Sequence, residues 1–248
     1  MTLPIIHFVF HGDVVRLLSK SRRGRKLKHS LKRRASIKDI LEALGIPHTE
    51  VGMIKANNKQ ISFEFIPEEE IIIHIYPMTG DVVKSLPNLL WPDCWFFNRF
   101  MVDINALKLA RNMRMAGIDT IVVPQMDVVD IAMLAAAEER VIVTRNRQLL
   151  KCAEIKYGQL LRSEKHIVQL QEVNNRFHLA KHLKPFSRCL TCNGTLQFVA
   201  KDTIEELLEP LTKKYYSTFK RCQDCLTIYW NGSHVRHMRA VLSEIEWK

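Results

Sequence analysis

Three short apolar runs between residues 99 and 146 each end on polar residues. Arg99–Val102 leads to Asp103, Thr120–Val123 to Pro124, Asp127 and Asp130, and Val141–Val143 to Thr144, Arg145 and Asn146. Between the first two runs, Ala106, Leu109, Ala110 and Met113 recur at helical spacing and Gly117 follows as a stop. Between the second and third, Val128, Ile131, Ala132 and Ala135 repeat the pattern. This alternation predicts parallel strands joined by right-handed crossovers, their carboxyl ends opening on one edge. Open α/β sheets collect ligands at that edge, and acidic side chains there are a candidate seat for a divalent metal.

Upstream, Ile5–Phe10, Val51–Lys55, Ile61–Phe65 and Ile71–Tyr76 read as strands, with Asn57, Asn58 and Lys59 as a turn between two of them. Ser36 reads as the N-cap of a helix over 37–44, with Asp39 at its third position and Gly45 ending it. Strand, hairpin, helix and late strands make a β-grasp order. Pro77, Pro87, Pro92 and the Trp91–Trp95 cluster mark 78–98 as a linker whose aromatics pack on a neighbouring domain. Downstream, Gln169, Leu170, Gln171, Val173 and Phe177 read as the closing helix of the central domain.

Composition narrows the class. The chain has 248 residues, 47% of them hydrophobic, enough for two domains or one with appendages. No apolar run reaches about 18 residues and no signal-peptide pattern opens the chain, so a cytoplasmic protein with no membrane partner is expected. The formal net charge of +11 favours a polyanionic partner, most simply RNA. Ten of the cations crowd between Lys20 and Lys38, among them Arg22, Arg23, Arg25, Lys26, Lys28, Arg33 and Arg34. No acid interrupts them, and such a run serves phosphate contact without base readout, a solvated hairpin being the plainer alternative.

Four of the six cysteines form two Cys-x-x-Cys pairs, Cys189/Cys192 and Cys222/Cys225, separated by 29 residues. Two such turns suit a closed tetrahedral Zn²⁺ site of the ribbon kind, structural because no position is open to water. Disulfides and an iron–sulfur centre are the rivals, disfavoured by compartment and by spacing. Cys152 stands apart as a small, partly buried residue. Around the pairs, Arg188, Tyr229, Trp230, Arg236 and neighbouring lysines mix cations with aromatics, as RNA contact requires; the plainer alternative for Tyr229 and Trp230 is packing of the ribbon. Asp127 and Asp130 also fit the first turn of the following helix as caps, whereas Asp103, directly after a buried strand, has the weakest structural explanation. Arg111, Arg114 and Arg145 divide between substrate contact and internal ion pairing.

Several phrases carry a family resemblance. Ser36 through Val51 (SIKDILEALGIPHTEV), closing with Ile75-Tyr76-Pro77, resembles the ubiquitin-like domain fused ahead of Mut7-C ribonuclease domains. Phe100–Asp103, Leu109–Arg111, Met113-Arg114 and Gly117–Asp119 resemble the first motif of that PIN-like family, and Ala135–Arg147 its later block. Ser187–Gly194 and Ile228–His234 are similar to the ribbon that ends it. The resemblance implies a ubiquitin-like β-grasp domain over 1–77, a linker over 78–98, a PIN-like α/β domain with a parallel sheet over 99–183, and a zinc ribbon with a basic tail over 184–248. It further implies a ribonuclease that holds Mg²⁺ or Mn²⁺ with Asp103 and Asp130, and with Asp127 as a further acid. tRNA and rRNA are the first substrates to consider, and the ubiquitin-like domain offers a surface for a protein partner. The family has Thr-Arg-Asp after the third strand; here Asn146 replaces the acid, and an amide neither acts as a base nor adds negative charge. The alternative is therefore a non-catalytic RNA-binding adaptor, associated with tRNA or the ribosome.

Overall fold

The computed structural model describes residues 4–24, 26–78, 90, 98–123 and 125–247. The fold is mixed α/β, in two compact units that are discontinuous in sequence: Met1–Phe97 with Met126–Leu160, and Asn98–Gln125 with Leu161–Lys248.

In the first unit, alternation of inward and outward side chains in β1 (Ile5–Phe10) puts Ile6, Phe8 and Phe10 in the core. β2 (Leu27–Ser30) pairs antiparallel with β1, and α1 (Ile37–Ala43) follows. β3 (Val51–Ala56), β4 (Lys59–Gln60) and β5 (Ile71–Pro77) complete a sheet of order β2-β1-β5-β3-β4, with β1 and β5 parallel, as in a β-grasp fold. The Ser36 hydroxyl accepts from Asp39 N, and Ile37, Ile40 and Leu41 of α1 are buried. The expected turn at Asn57-Asn58 has both residues at positive φ.

The expected strand over Ile61–Phe65 is not a strand. After one further rung, Ile61 N to Ile54 O, the segment leaves the sheet. Its carbonyls at Phe63 and Phe65 accept from Lys38 N and Ile37 N instead. The first amides of a helix lack intrahelical partners, and here a neighbouring segment satisfies them.

Residues 126–160 contribute α3 (Val128–Ala137; α2 lies in the second unit), β8 (Val141–Thr144) and β9 (Gly158–Leu160) to this unit, the two strands parallel. This segment is joined to the β-grasp part through polar bonds, those of His48 and Glu50 at buried positions. His48 presents Nδ1 to Glu42 Oε1 and Nε2 to the Ile155 carbonyl, each at 2.7 Å. Glu50, buried, accepts from Leu160 N, and Lys151 Nζ donates to Glu42 O. Arg147 Nη1 donates to Leu17 O.

In the second unit, β6 (Arg99–Val102) and β7 (Asp119–Val122) are parallel and linked by α2 (Leu107–Met115). Leu109, Ala110 and Met113 of α2 are buried, as their spacing predicts. α2 packs against α4 (His166–Phe177), and Phe177 meets Phe100 edge-on at 5.4 Å. At Gly117, φ is +87° and a Cβ would lie 2.1 Å from Lys184 O, so only glycine fits where the chain returns. That return is fastened by Lys184 N to Ala116 O and Phe186 N to Met115 O. β10 (Leu196–Val199), β11 (Phe219–Cys222) and β12 (Ile228–Trp230) form a three-stranded antiparallel sheet. α5 (Pro210–Tyr215) precedes β11, and α6 (Ser233–Ser243) follows β12. No helix among the described residues is long and apolar enough to cross a membrane.

Candidate functional site

The four paired cysteines converge. Their sulfur atoms lie within 4.8 Å of one another, with Cys189 and Cys222 buried and Cys192 and Cys225 exposed. The closest pairs, Cys189–Cys225 at 3.5 Å and Cys192–Cys222 at 3.4 Å, are free thiols rather than disulfides. A tetrahedral ion with Zn–S bonds of about 2.3 Å needs sulfur–sulfur edges of about 3.8 Å, so the quartet fits one structural zinc. Both turns are built for this. Cys189 N donates to Gly194 O, Asn193 N donates to Cys189 O, and Asn193 takes a positive φ. A Cβ on Gly194 would lie 2.8 Å from Cys222 Sγ. In the second turn Leu226 has a positive φ and Cys222 N donates to Thr227 O.

The polar atoms around the sulfurs separate their acidities. The Thr227 hydroxyl and backbone bring the Cys225 thiol down to about 6, while partial desolvation of its sulfur and then the neighbouring thiols push Cys192, an exposed residue, up to about 12. For Cys189 the upward effect of burial is outweighed by the Tyr229 hydroxyl, 3.1 Å from its sulfur, and by the amides of Cys192 and Thr191, so its thiol is lowered. Tyr229 also accepts from Leu190 N, which assigns this ring to the ribbon interior.

The first cysteine turn is fastened to β7 by residues given other roles by the sequence pattern. Arg114, expected as an RNA contact or ion pair, is only 5% exposed and donates to Thr120 O, Leu190 O and Thr191 O. Burial removes it from any RNA surface. Arg188, another expected RNA contact, is half-buried, pairs with Asp119 at 3.2 Å and donates to Asn193 O. Asn193, which sequence reading missed, accepts from Thr120 N and donates to Asp119 Oδ1. Its position directly after a Cys-x-x-Cys pair is the one available signal.

The acidic candidates sit at helix starts. Asp103, half-buried after β6, accepts from Asn105 N at 2.8 Å and caps the 3-10 turn Ile104–Ala106. It therefore has the structural role that the sequence pattern did not suggest. Asp127 caps α3 through Val129 N at 2.9 Å, and Asp130 lies in the first turn of that helix, exposed. Asn146 is exposed after β8; its Oδ1 accepts from Gln148 N at 2.9 Å and Leu149 N at 3.4 Å, and its own amide donates to Thr144 Oγ1. Asp103 belongs to the second unit, and Asp127, Asp130 and Asn146 to the first. The Cys152 thiol is raised by burial and then by Glu154, Glu42 and Asp127, which makes it a poor nucleophile.

Of the basic candidates, Arg22, Lys26, Lys28 and Arg33 are exposed, as are Arg111, Arg145 and Arg236. Arg25 and the Trp91–Trp95 cluster lie outside the described residues. Arg23 donates to Leu18 O and Arg16 O, shaping the β1–β2 connection, and Arg34 pairs with Glu68 at the surface. Trp230 is 38% exposed beside Tyr216. Phe198, which sequence reading also missed, is 73% exposed with Lys220 Nζ 5.0 Å from its ring centre. β10–β11 register makes the two cross-strand neighbours, a pairing with no signature in either segment alone.

Residues 98–242 match the family model of the Mut7-C RNAse domain, and residues 3–83 match that of Mut7-C ubiquitin. No curated protein and no solved structure matches the chain.

Proposed function

The chain belongs to the Mut7-C RNAse domain family, and from that premise we propose an RNA-directed ribonuclease that hydrolyses phosphodiester bonds. The observation that carries this reading is the match over 98–242, which includes Asp103, Asp127, Asp130 and Asn146. Asp103 is the primary metal ligand in this reading, Asp130 the second acid and Asp127 a further carboxylate. Oxygen donors of this kind suit Mg²⁺ or Mn²⁺, which when bound supplies Lewis acidity at the phosphate and an activated water. The chain's part is to hold the carboxylates in place. The bonds from Asn105 N and Val129 N each fix one oxygen, of Asp103 and of Asp127. Asn146 offers an amide oxygen without charge and takes no proton, so the site carries one negative charge fewer than the family pattern. Arg111 and Arg145 contact phosphate, with Arg236 and Trp230 extending the RNA surface. tRNA and rRNA are the first substrates to try. Five free cysteines among the described residues suit the reducing cytoplasm as the working compartment.

The identity of Asn146 favours a second reading, a non-catalytic adaptor that binds RNA. Cleavage of labelled tRNA and unstructured RNA with Mn²⁺ separates the two, run on wild type, Asp103→Asn and Asn146→Asp. Wild-type cleavage abolished by Asp103→Asn is the result expected of the enzyme. A silent wild type with activity gained in Asn146→Asp would establish a disarmed site and the adaptor. Silence from all three would leave catalysis without support.

A further inference from the structure

One face of the β-grasp sheet buries Ile6, Phe8, Ile73 and Ile75 in the core, and the opposite face carries a layer of rings that neither the cysteine centre nor the acids use. Register sets Lys28, His7 and Ile72 side by side across β2, β1 and β5, then Val9, His74 and Lys55 across β1, β5 and β3, with Tyr76 beside Met53. His11, just past β1, is held beside this face by the hydrogen bond its backbone N–H donates to Ile75 O. Its ring lies 4.3 Å from that of Tyr76 and 3° from parallel, and 5.3 Å from that of His74 at 18°. His11 Nε2 and His74 Nδ1 are hydrogen-bonded at 3.0 Å. Lys55 Nζ is 5.8 Å from the Tyr76 ring centre. Ile72, in the same face, is 41% exposed.

The charge around these rings is cationic. Lys28 and Lys55 lie within the face, and Glu70, at its end, is bonded to His7 at 2.8 Å. The chain on either side of the edge strand β2 adds Lys26, Lys32 and Arg33, all exposed. Burial, then His74, holds His11 below its ordinary value of 6.5, which keeps the ring neutral near neutral pH. Parallel rings beside lysines, bordered by a basic edge, complement a polyanion that carries flat bases. A protein partner would have to supply acids to cover the same lysines.

We propose that this partly exposed sheet face binds single-stranded RNA, its bases extending the His11–Tyr76 stack and its phosphates following Lys55, Lys28 and the β2 edge. The site rests on the RNA-directed reading of the chain and is independent of whether the chain cleaves. The β-grasp unit thereby holds an unpaired stretch of substrate by shape and charge, with little sequence preference.

Binding is measured on the full chain with a short fluorescent 2′-O-methyl oligouridine, which resists hydrolysis, beside an abasic strand of equal length. Tyr76→Leu is expected to weaken oligouridine binding about tenfold and to leave the abasic strand unchanged. Lys55→Gln, a surface change that leaves the rings in place, is expected to weaken both strands severalfold, which keeps the test informative if Tyr76→Leu fails to fold. Photocrosslinks from 4-thiouridine are expected in peptides containing His11 or Tyr76. Wild-type binding retained in both variants, with crosslinks elsewhere, would overturn the sheet-face site and leave that surface to a protein partner. No binding of either strand by wild type would overturn the RNA-directed reading with it.

Discussion

Asn146 gives one carbonyl oxygen to the amides of Gln148 and Leu149. A carboxylate oxygen does the same, and Asn and Asp are interchangeable in such caps. Asn146→Asp is therefore expected to stay within about 0.5 kcal/mol of wild type in urea denaturation, so any change in Mn²⁺ affinity or cleavage reports on charge rather than folding. Asp127 calls for the same care. Asp127→Ala removes the Val129 cap and is expected to cost about 1 kcal/mol, whereas Asp127→Asn keeps the acceptor and isolates the charge. Arg114 is the opposite case, because three carbonyls depend on one buried guanidinium. Arg114→Met should destabilise by roughly 3 kcal/mol, while Arg111→Ala on the exposed face of the same helix stays within about 0.5 kcal/mol. His11 and His29 are both held below 6.5, by burial first and then by His74 and Arg22 respectively. Their unfolded forms bind protons more readily, so their contribution is complete above that value and is lost as pH falls. Urea midpoints measured between neutral and mildly acidic pH should fall with pH, and His11→Leu should flatten that slope; an unchanged slope would contradict the assignment.

Among the elements, the ribbon is the one built around four cysteine sulfurs placed closely enough to share a metal ion. Its strands are three or four residues long, and its first cysteine turn is tied to β7 by Asn193, Arg114 and Arg188. Zinc that orders these turns also orders the bonds to Thr120 and Asp119, so folding of the unit and metal binding are coupled. Undenatured protein is expected to hold about one zinc per chain. A strong chelator, or Cys222→Ser, should lower the melting transition and raise amide exchange at Thr120 along with the ribbon strands. Exchange confined to the ribbon would show that the fastening to β7 is not energetically coupled to the metal. In the first unit, the apolar alternating run over 61–65 became a cap for α1 rather than a strand, because the helix amides there had no other acceptor.

Across the whole molecule, the excess of cations makes salt the most direct probe of the RNA-directed reading. Each phosphate contact to a single strand contributes a slope of about −0.7 in log affinity against log salt. Replacing Arg22, Lys26, Lys28 and Arg33 together by Gln is expected to reduce that slope by up to about 3 units, measured by anisotropy across a salt series. Arg23 and Arg34 are poorer choices, because one shapes the backbone around Leu18 and the other pairs with Glu68.

The amino-acid order alone determined most of the local elements and which four cysteines come together. Helical and strand periodicities, the Ser36 and Asp127 caps, the Asn57-Asn58 turn and the two cysteine pairs are short-range signals, decided by side-chain period, backbone freedom and ligand spacing. Tertiary structure alone decided which element each of these packs upon. Arg114 read equally as an RNA contact or an internal ion pair, and Arg188 as an RNA contact, until the ribbon turn came to rest on them; Asn193 had only its place after a cysteine pair as a signal, and Glu50 had none. The stack of His11 on Tyr76 and the pairing of Phe198 with Lys220 depend on strand register, which brings distant residues side by side. Residues 126–160 join the β-grasp unit through His48, Glu42, Glu50 and Lys151, bonds that span more than a hundred positions. Such contacts leave no local pattern, because burial and hydrogen-bond satisfaction are properties of the assembled chain.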